Sequence, residues 1–160
     1  MKRQFVATAP NQMWLTGLTF VAIWAGVAYV CFIIDARSRI IVGWWVASHM
    51  RTGTVLDAIE MATSSRGQNL PGLRCHSDAG AKFTSIRYGE RLAEISAVPS
   101  IGTVGDSFDN ALAETVNGFH KAQLIRGPAR RAPWKTADKV ELATLTWVRW
   151  HNTKRIHGYL

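Results

Sequence analysis

The amino-acid sequence predicts an α/β layered domain, a mixed sheet with helices on both faces. Three features predict it. The first third is a series of apolar runs rich in β-branched and aromatic residues, joined by very short connections, the pattern of an antiparallel meander. These runs are almost continuously hydrophobic, as strands are when both faces of their sheet are covered. The remainder alternates helix-like segments with short strand-like ones. At 160 residues the chain fits one domain, spanning 1–160, and can bury a sizeable core.

Residues 13–22, 27–35 and 39–47 read as the first three strands. Trp24-Ala25-Gly26 separates the first two as a hairpin turn would, and Asp35-Ala36-Arg37-Ser38-Arg39 separates the second from the third. A helix follows. Thr54-Val55-Leu56-Asp57 has the form of a capping box, and Val55, Leu56, Ile59 and Ala62 recur at helical spacing. Residues 64–71 are a polar loop holding Gly67 and Pro71. Leu73-Arg74-Cys75-His76 is a short strand that delivers Asp78 at its end. Thr84 or Ser85 caps a helix carrying Ile86, Leu92, Ala93 and Ile95, and residues 98–104 make a fifth strand, ended by Gly105.

The next helix starts near Asp106 or Ser107, either of which can cap free N–H groups, and runs through Glu114 to about Leu124. Residues 126–135 form a basic loop. The last helix spans about Thr136 to Asn152. Its apolar set, Val140, Leu142, Leu145, Trp147, Val148 and Trp150, is too wide for one stripe, so part of it is expected to face a partner or a second packing contact. There is no internal repeat or low-complexity tract.

Lys and Arg outnumber Asp and Glu by 19 to 11. That surplus favours a polyanionic partner, nucleic acid before an acidic membrane surface. The residues from Gln4 to Ile34 carry no charge, and Phe20 to Ile34 is long enough to cross a bilayer. The turn at Trp24-Ala25-Gly26 and the β-rich composition favour two strands instead, so no membrane association is expected. Cys31 and Cys75 lie in strand-like runs without a CxxC or a zinc spacing, which predicts free thiols in a reducing cytoplasm.

The chemistry gathers at two carboxylates with 35 residues between them. His76-Ser77-Asp78-Ala79-Gly80 puts one at a strand end, where it can face a cleft. Gly105-Asp106-Ser107-Phe108-Asp109-Asn110-Ala111-Leu112-Ala113-Glu114 puts the other one or two turns into a helix. Hard divalent cations take oxygen ligands of this kind, and two such ions can activate a hydroxyl and stabilise the leaving oxygen of a phosphodiester. Asn110 at i−4 and Lys121 at i+7 share a helix face with Glu114, which places Lys121 to meet a phosphate. Asp106 and Asp109 read as caps, where a helix dipole favours negative charge. Arg130 and Arg131 of the basic loop, with Lys154 and Arg155 near the end, are further candidates for contact with DNA.

These phrases resemble the transposases of bacterial insertion sequences of the IS-three group. The resemblance rests on His76-Ser77-Asp78-x-Gly80, Thr84-Ser85 and Gly105-Asp106-Ser107-x-Asp109-Asn110-Ala111-x-x-Glu114. It extends to Ala9-Pro10-Asn11-Gln12-x-Trp14, Ile34-Asp35-x-x-Ser38-Arg39, Ile41-Val42-Gly43-Trp44 and Asn152-x-x-Arg155-x-His157, and so covers nearly the whole chain. It implies a ribonuclease-H-like fold, that of the retroviral integrase catalytic core, with a mixed five-stranded sheet. It also implies a DDE triad binding Mg²⁺ or Mn²⁺ for cleavage and strand transfer, acting on element ends and target DNA, in a homo-oligomer or with an upstream transposase subunit, in the bacterial cytoplasm and nucleoid. Asp78 and Glu114 match the second and third triad positions.

The sequence departs from the pattern at the first. The family's first Asp follows a Trp-x-Thr phrase; here Trp14-Leu15-Thr16 is followed by Gly17, and Leu18-Thr19-Phe20 resumes the match. Glycine offers no ligand atom. Asp35 is the nearest carboxylate, but it belongs to an ordinary family phrase, and one residue of register would put it on the other face. The family's upstream helix-turn-helix region and Pro-containing tail do not match any part of these 160 residues. Two functions are therefore expected to compete: a strand-transfer core impaired by Gly17, and an inactive module of the same fold that binds DNA or a partner subunit.

Overall fold

The first two apolar runs pair with each other, which removes the single long stretch that could suggest a membrane span. A computed structural model describes residues 9–24, 26–48, 52–77, 86–101, 115–120 and 134–155. β1 (Met13–Ile23) and β2 (Gly26–Asp35) form a long antiparallel hairpin, with Trp14 opposite Asp35 and Gly17 opposite Phe32. Gly26 closes its turn at φ 140°, a conformation that side chains rarely adopt. β3 (Ile41–Ala47) adds antiparallel to β2, with a register shift at Ile33/Ile34. β4 (Arg74–Ser77) joins the other side of β1 in parallel, and β5 (Val98–Ile101) pairs in parallel with β4. The order across the sheet is β3-β2-β1-β4-β5. Among the described residues, no helix is long and apolar enough to cross a membrane.

Alternation along β1 and β2 feeds two cores. On one face Trp14, Cys31 and Ile33 pack with Val55, Ile59 and Ala62 of α1 (Thr52–Arg66) and with Tyr88 and Leu92 of α2 (Ile86–Glu94). On the other, Val30, Phe32 and Ile34 pack with Val116 of a helix over residues 115–120, α3, and with Val140, Trp147 and Val148 of α4 (Ala137–Trp150). Helices on both faces of a five-stranded mixed sheet agree with the expected architecture. α1 approaches the sheet so closely at Gly43 that an added Cβ would sit 2.3 Å from the Ala58 carbonyl oxygen. That approach explains the glycine in Ile41-Val42-Gly43-Trp44.

Several sequence expectations need correction. α1 begins at Thr52, so Thr54 lies inside the helix and Thr54–Asp57 is not its capping box. The third strand begins at Ile41 rather than residue 39, because Arg39 turns the chain at φ 65°. In α2, Ile86 is 79% exposed and Ala93 is exposed; the buried stripe is Tyr88, Leu92 and then Ile95. The last α-helix ends at Trp150 and loosens into a wider turn over His151–Arg155. Thr136 caps α4 as expected, its hydroxyl accepting from the Lys139 N–H. The wide apolar set of α4 divides: Val140, Trp147 and Val148 are buried, whereas Leu142, Leu145 and Trp150 remain exposed.

Candidate active site

Gly17 lies buried in the middle of β1, where strand pairing fixes its surroundings. Its cross-strand partner is Phe32. That ring meets His120 of α3 edge-on, with centroids 5.2 Å apart, and Trp147 of α4 at 5.8 Å. His120 is fully buried and its Nε2 lies 3.0 Å from the Thr144 hydroxyl, which ties α3 to α4. α3 is therefore docked over the strand pair that holds Gly17, and Glu114 immediately precedes Thr115, the first described residue of that helix.

On the other side of β1, Leu15 pairs with His76 of β4. His76 is buried, and its Nδ1 lies 3.1 Å from the Ser100 hydroxyl on β5, fixing β4 against its neighbour just before the strand ends at Ser77. Asp78 is the next residue in the chain. Asp78, Asn110, Glu114, Lys121, Arg130 and Arg131 all lie outside the described residues, as do Asp106, Asp109 and His157. The backbone of Lys154 and Arg155 belongs to the turn over His151–Arg155, and their side chains are not described.

A buried tyrosine sits behind this part of the sheet, and the sequence reading missed it. Tyr88 projects from α2 with its ring fully buried, and the hydroxyls of Ser77 and Thr16 lie beside its own. Burial pushes its phenol above the ordinary range, with the two hydroxyls pulling the other way. Thr16 precedes Gly17 and Ser77 precedes Asp78, so this buried ring packs behind the sheet next to both positions. Tyr88, Leu92 and Ile95 recur at i, i+4 and i+7, a signal that could have found it.

Asp35 does not stand in for the missing carboxylate. It pairs with Trp14, three residues from the Gly17–Phe32 pair, and odd spacing puts it on the opposite face of the sheet. It is fully buried, and its oxygens accept from the backbone N–H groups of Asn11 (2.8 Å), Arg37 (2.9 Å) and Ser38 (3.1 Å). Its role is to build the turn. Asn152, part of the C-terminal phrase, is also structural: its side chain accepts from the Ile41 N–H at 2.9 Å and donates to the Ile41 carbonyl at 3.0 Å, clamping the edge strand. His151 Nε2 approaches the Arg39 carbonyl at 3.3 Å.

Among the described residues no group of three His, Cys, Asp or Glu side chains could hold a metal ion. The first position of the expected triad offers no oxygen, and the nearest carboxylate is committed to a turn. Asp78 and Glu114, the two carboxylates the resemblance assigns to a metal, lie outside the described residues. Elsewhere, Arg91 of α2 pairs with Glu60 of α1 and with Glu94, and holds the Glu60 carboxyl below its usual range. Both cysteines are free and buried, and burial pushes each thiol up to about 12.

Residues 7–107 match the Integrase core domain family. The chain is similar to the putative transposase for insertion sequence element IS986/IS6110 of Mycobacterium tuberculosis, at 50% identity over 99% of this chain and 58% of the relative. It is 47% identical to the transposase for insertion sequence element IS629 of Shigella sonnei, over 98% of this chain and 51% of the relative. The chain thus spans little more than half the length of these relatives. In fold it is similar to the HTLV-2 integrase catalytic core domain in complex with magnesium, with a TM-score of 0.65 at 17% identity over 92% of this chain and 89% of that one.

Proposed function

The chain belongs to the integrase core domain family, and from that premise we propose that it is the catalytic core of an insertion-sequence transposase whose DNA-joining chemistry is impaired at Gly17. The observation that carries this reading is the register of β1. Gly17 lies two residues beyond Leu15, whose partner on β4 is His76, and Asp78 lies two residues beyond His76. If that parallel register ran on beyond the described strand, positions 17 and 78 would come level on one face. A carboxylate at 17 would complete the family's trio, and glycine removes it.

Mg²⁺ or Mn²⁺ is the cofactor this reading implies. Asp78 and Glu114 would hold it, and a bound ion would polarise a phosphodiester for attack. With two carboxylates in place of three the set is one ligand short, a deficit worth roughly several kcal/mol of transition-state stabilisation. Lys121, Asn110, Arg130, Arg131, Lys154 and Arg155 are the proposed contacts to DNA, both element ends and target. A second copy or an upstream transposase subunit is the proposed protein partner, in keeping with the dimeric form of the HTLV-2 core. The bacterial cytoplasm is the proposed compartment, where free buried thiols stay reduced.

Gly17 equally favours a second reading, in which this copy holds DNA or a partner without chemistry. Strand transfer of pre-cleaved ends by the Gly17→Asp chain in Mn²⁺ tests the site. Joining is expected there and should vanish with Asp78→Asn or Glu114→Gln. Joining that survives either substitution overturns the assignment of those carboxylates.

A further inference from the structure

The tip of the β1–β2 hairpin carries a tryptophan that the fold holds in water. Trp24 is 64% exposed, although its backbone N–H and the β-bridge of the preceding residue tie it to a neighbouring segment. Its N–H donates to the Trp134 carbonyl at 3.1 Å, and Ile23 bridges in parallel to Trp134. Lys135, itself exposed, then places its Nζ 4.9 Å from the centroid of the indole ring. An exposed tryptophan alone is unremarkable on a protein surface. Here it is paired with a cation and joined to the basic segment 126–135, which carries Arg126, Arg130, Arg131 and Lys135 and no carboxylate. From Met13 to Ile34 the hairpin has no charged residue, and the one acid on β2, Asp35, stands at the far end of the strand from Trp24 and is committed to backbone N–H groups.

We propose that Trp24 and Lys135 form a contact for unpaired DNA, in which the indole stacks on a base and the ammonium meets the adjoining phosphate. The inference rests on the DNA-processing reading above and adds a contact at the hairpin tip. The chemistry favours unpaired DNA over duplex, because an aromatic face can stack only on a base that is out of its own stack. Lys135 keeps three N–H donors, so a cation beside the ring can serve a phosphate at the same time. Along β1, Trp24 is seven residues past Gly17, roughly 23 Å at the rise of a strand. That distance corresponds to about seven base-pair steps of intervening duplex from the position where the carboxylates would act.

The test is fluorescence anisotropy on the whole chain in EDTA, using a labelled duplex with a single-stranded overhang and the same duplex blunt. The parent is expected to prefer the overhang. Trp24→Ala should weaken overhang binding by about 5- to 50-fold and leave blunt binding nearly unchanged, whereas Trp24→Phe should retain most of the affinity. Lys135→Gln should cost less and reduce the slope of affinity against salt by about one unit. The exposure of Trp24 predicts an unchanged melting curve for its variants. If Trp24→Ala binds the overhang like the parent while Arg130→Gln with Arg131→Gln weakens binding, the hairpin contact is wrong and the DNA-binding reading stands. If no form binds DNA, both fall. Binding to anionic phosphatidylserine vesicles without binding to DNA, or a Trp24→Ala effect confined to sedimentation mass, would assign the tip to a membrane or to a second copy and overturn the proposal.

Discussion

Asp35 and Gly17 stand three residues apart on the same pair of strands, and the chain treats the two positions in opposite ways. Asp35 keeps a fully buried carboxylate whose oxygens take three backbone N–H groups and close the β2–β3 turn. Gly17, in the strand where the family resemblance expects a chemical carboxylate, has no side chain at all. The difference teaches that scaffold and chemistry make separable demands. A turn carboxylate satisfies donors that would otherwise be orphaned, so its loss is felt by the whole fold. A missing ligand in a paired strand leaves every backbone hydrogen bond in place. The described residues Asn11, Asp35, Gly43 and Asn152 of the family phrases all serve the scaffold.

The sharpest way to break this comparison is at Asp35 itself. Asp35→Ala strands three N–H groups and is expected to lower the unfolding free energy by about 4 kcal/mol in urea denaturation. A loss under about 1 kcal/mol would show that the turn does not depend on the carboxylate. Gly43→Ala comes next, at about 3 kcal/mol, because the new methyl meets the Ala58 backbone and neither strand nor helix can yield cheaply. Asn152→Ala removes both bonds to Ile41 and should cost about 2 kcal/mol, with faster amide exchange at Ile41 as the local signature.

The last test concerns the thiols, whose effect is smallest near neutral pH. Cys31 and Cys75 should resist a disulfide reagent at pH 8 until the chain unfolds, since burial keeps both protonated. The linkage has a definite sign. The folded thiols titrate near 12 and unfolded ones near 9. Between these values the unfolded chain holds fewer protons, so stability falls as pH rises from 9 towards 12. Flat stability across that window would contradict the burial of both groups.

Much of the fold was legible because hydrophobic burial writes itself into local sequence. The β-rich runs before and after Trp24-Ala25-Gly26 favour strands over a membrane span, and β1 and β2 fall within a residue of the expected bounds. Local reading failed where the decision was tertiary. Ile86 is apolar, but it opens α2 on the solvent side, and Tyr88 takes the buried place because its hydroxyl finds Ser77 and Thr16 beside it. Asn152 reads from sequence only as the end of the last helix and the start of a family phrase, yet its partner Ile41 lies 111 residues away. No spacing rule reaches that far. The candidate site is legible as motif alone: Gly17 lies in β1, while Asp78 and Glu114 fall outside the described residues.

The separability of scaffold and chemistry is tested most directly by a paired measurement on the parent chain and its Gly17→Asp variant: the unfolding midpoint in urea and the initial rate of joining of a pre-cleaved end in Mn²⁺. The account predicts stabilities within about 1 kcal/mol of each other, with joining detectable only in the Asp variant. Equal joining by both proteins, lost in both with Glu114→Gln, would contradict it.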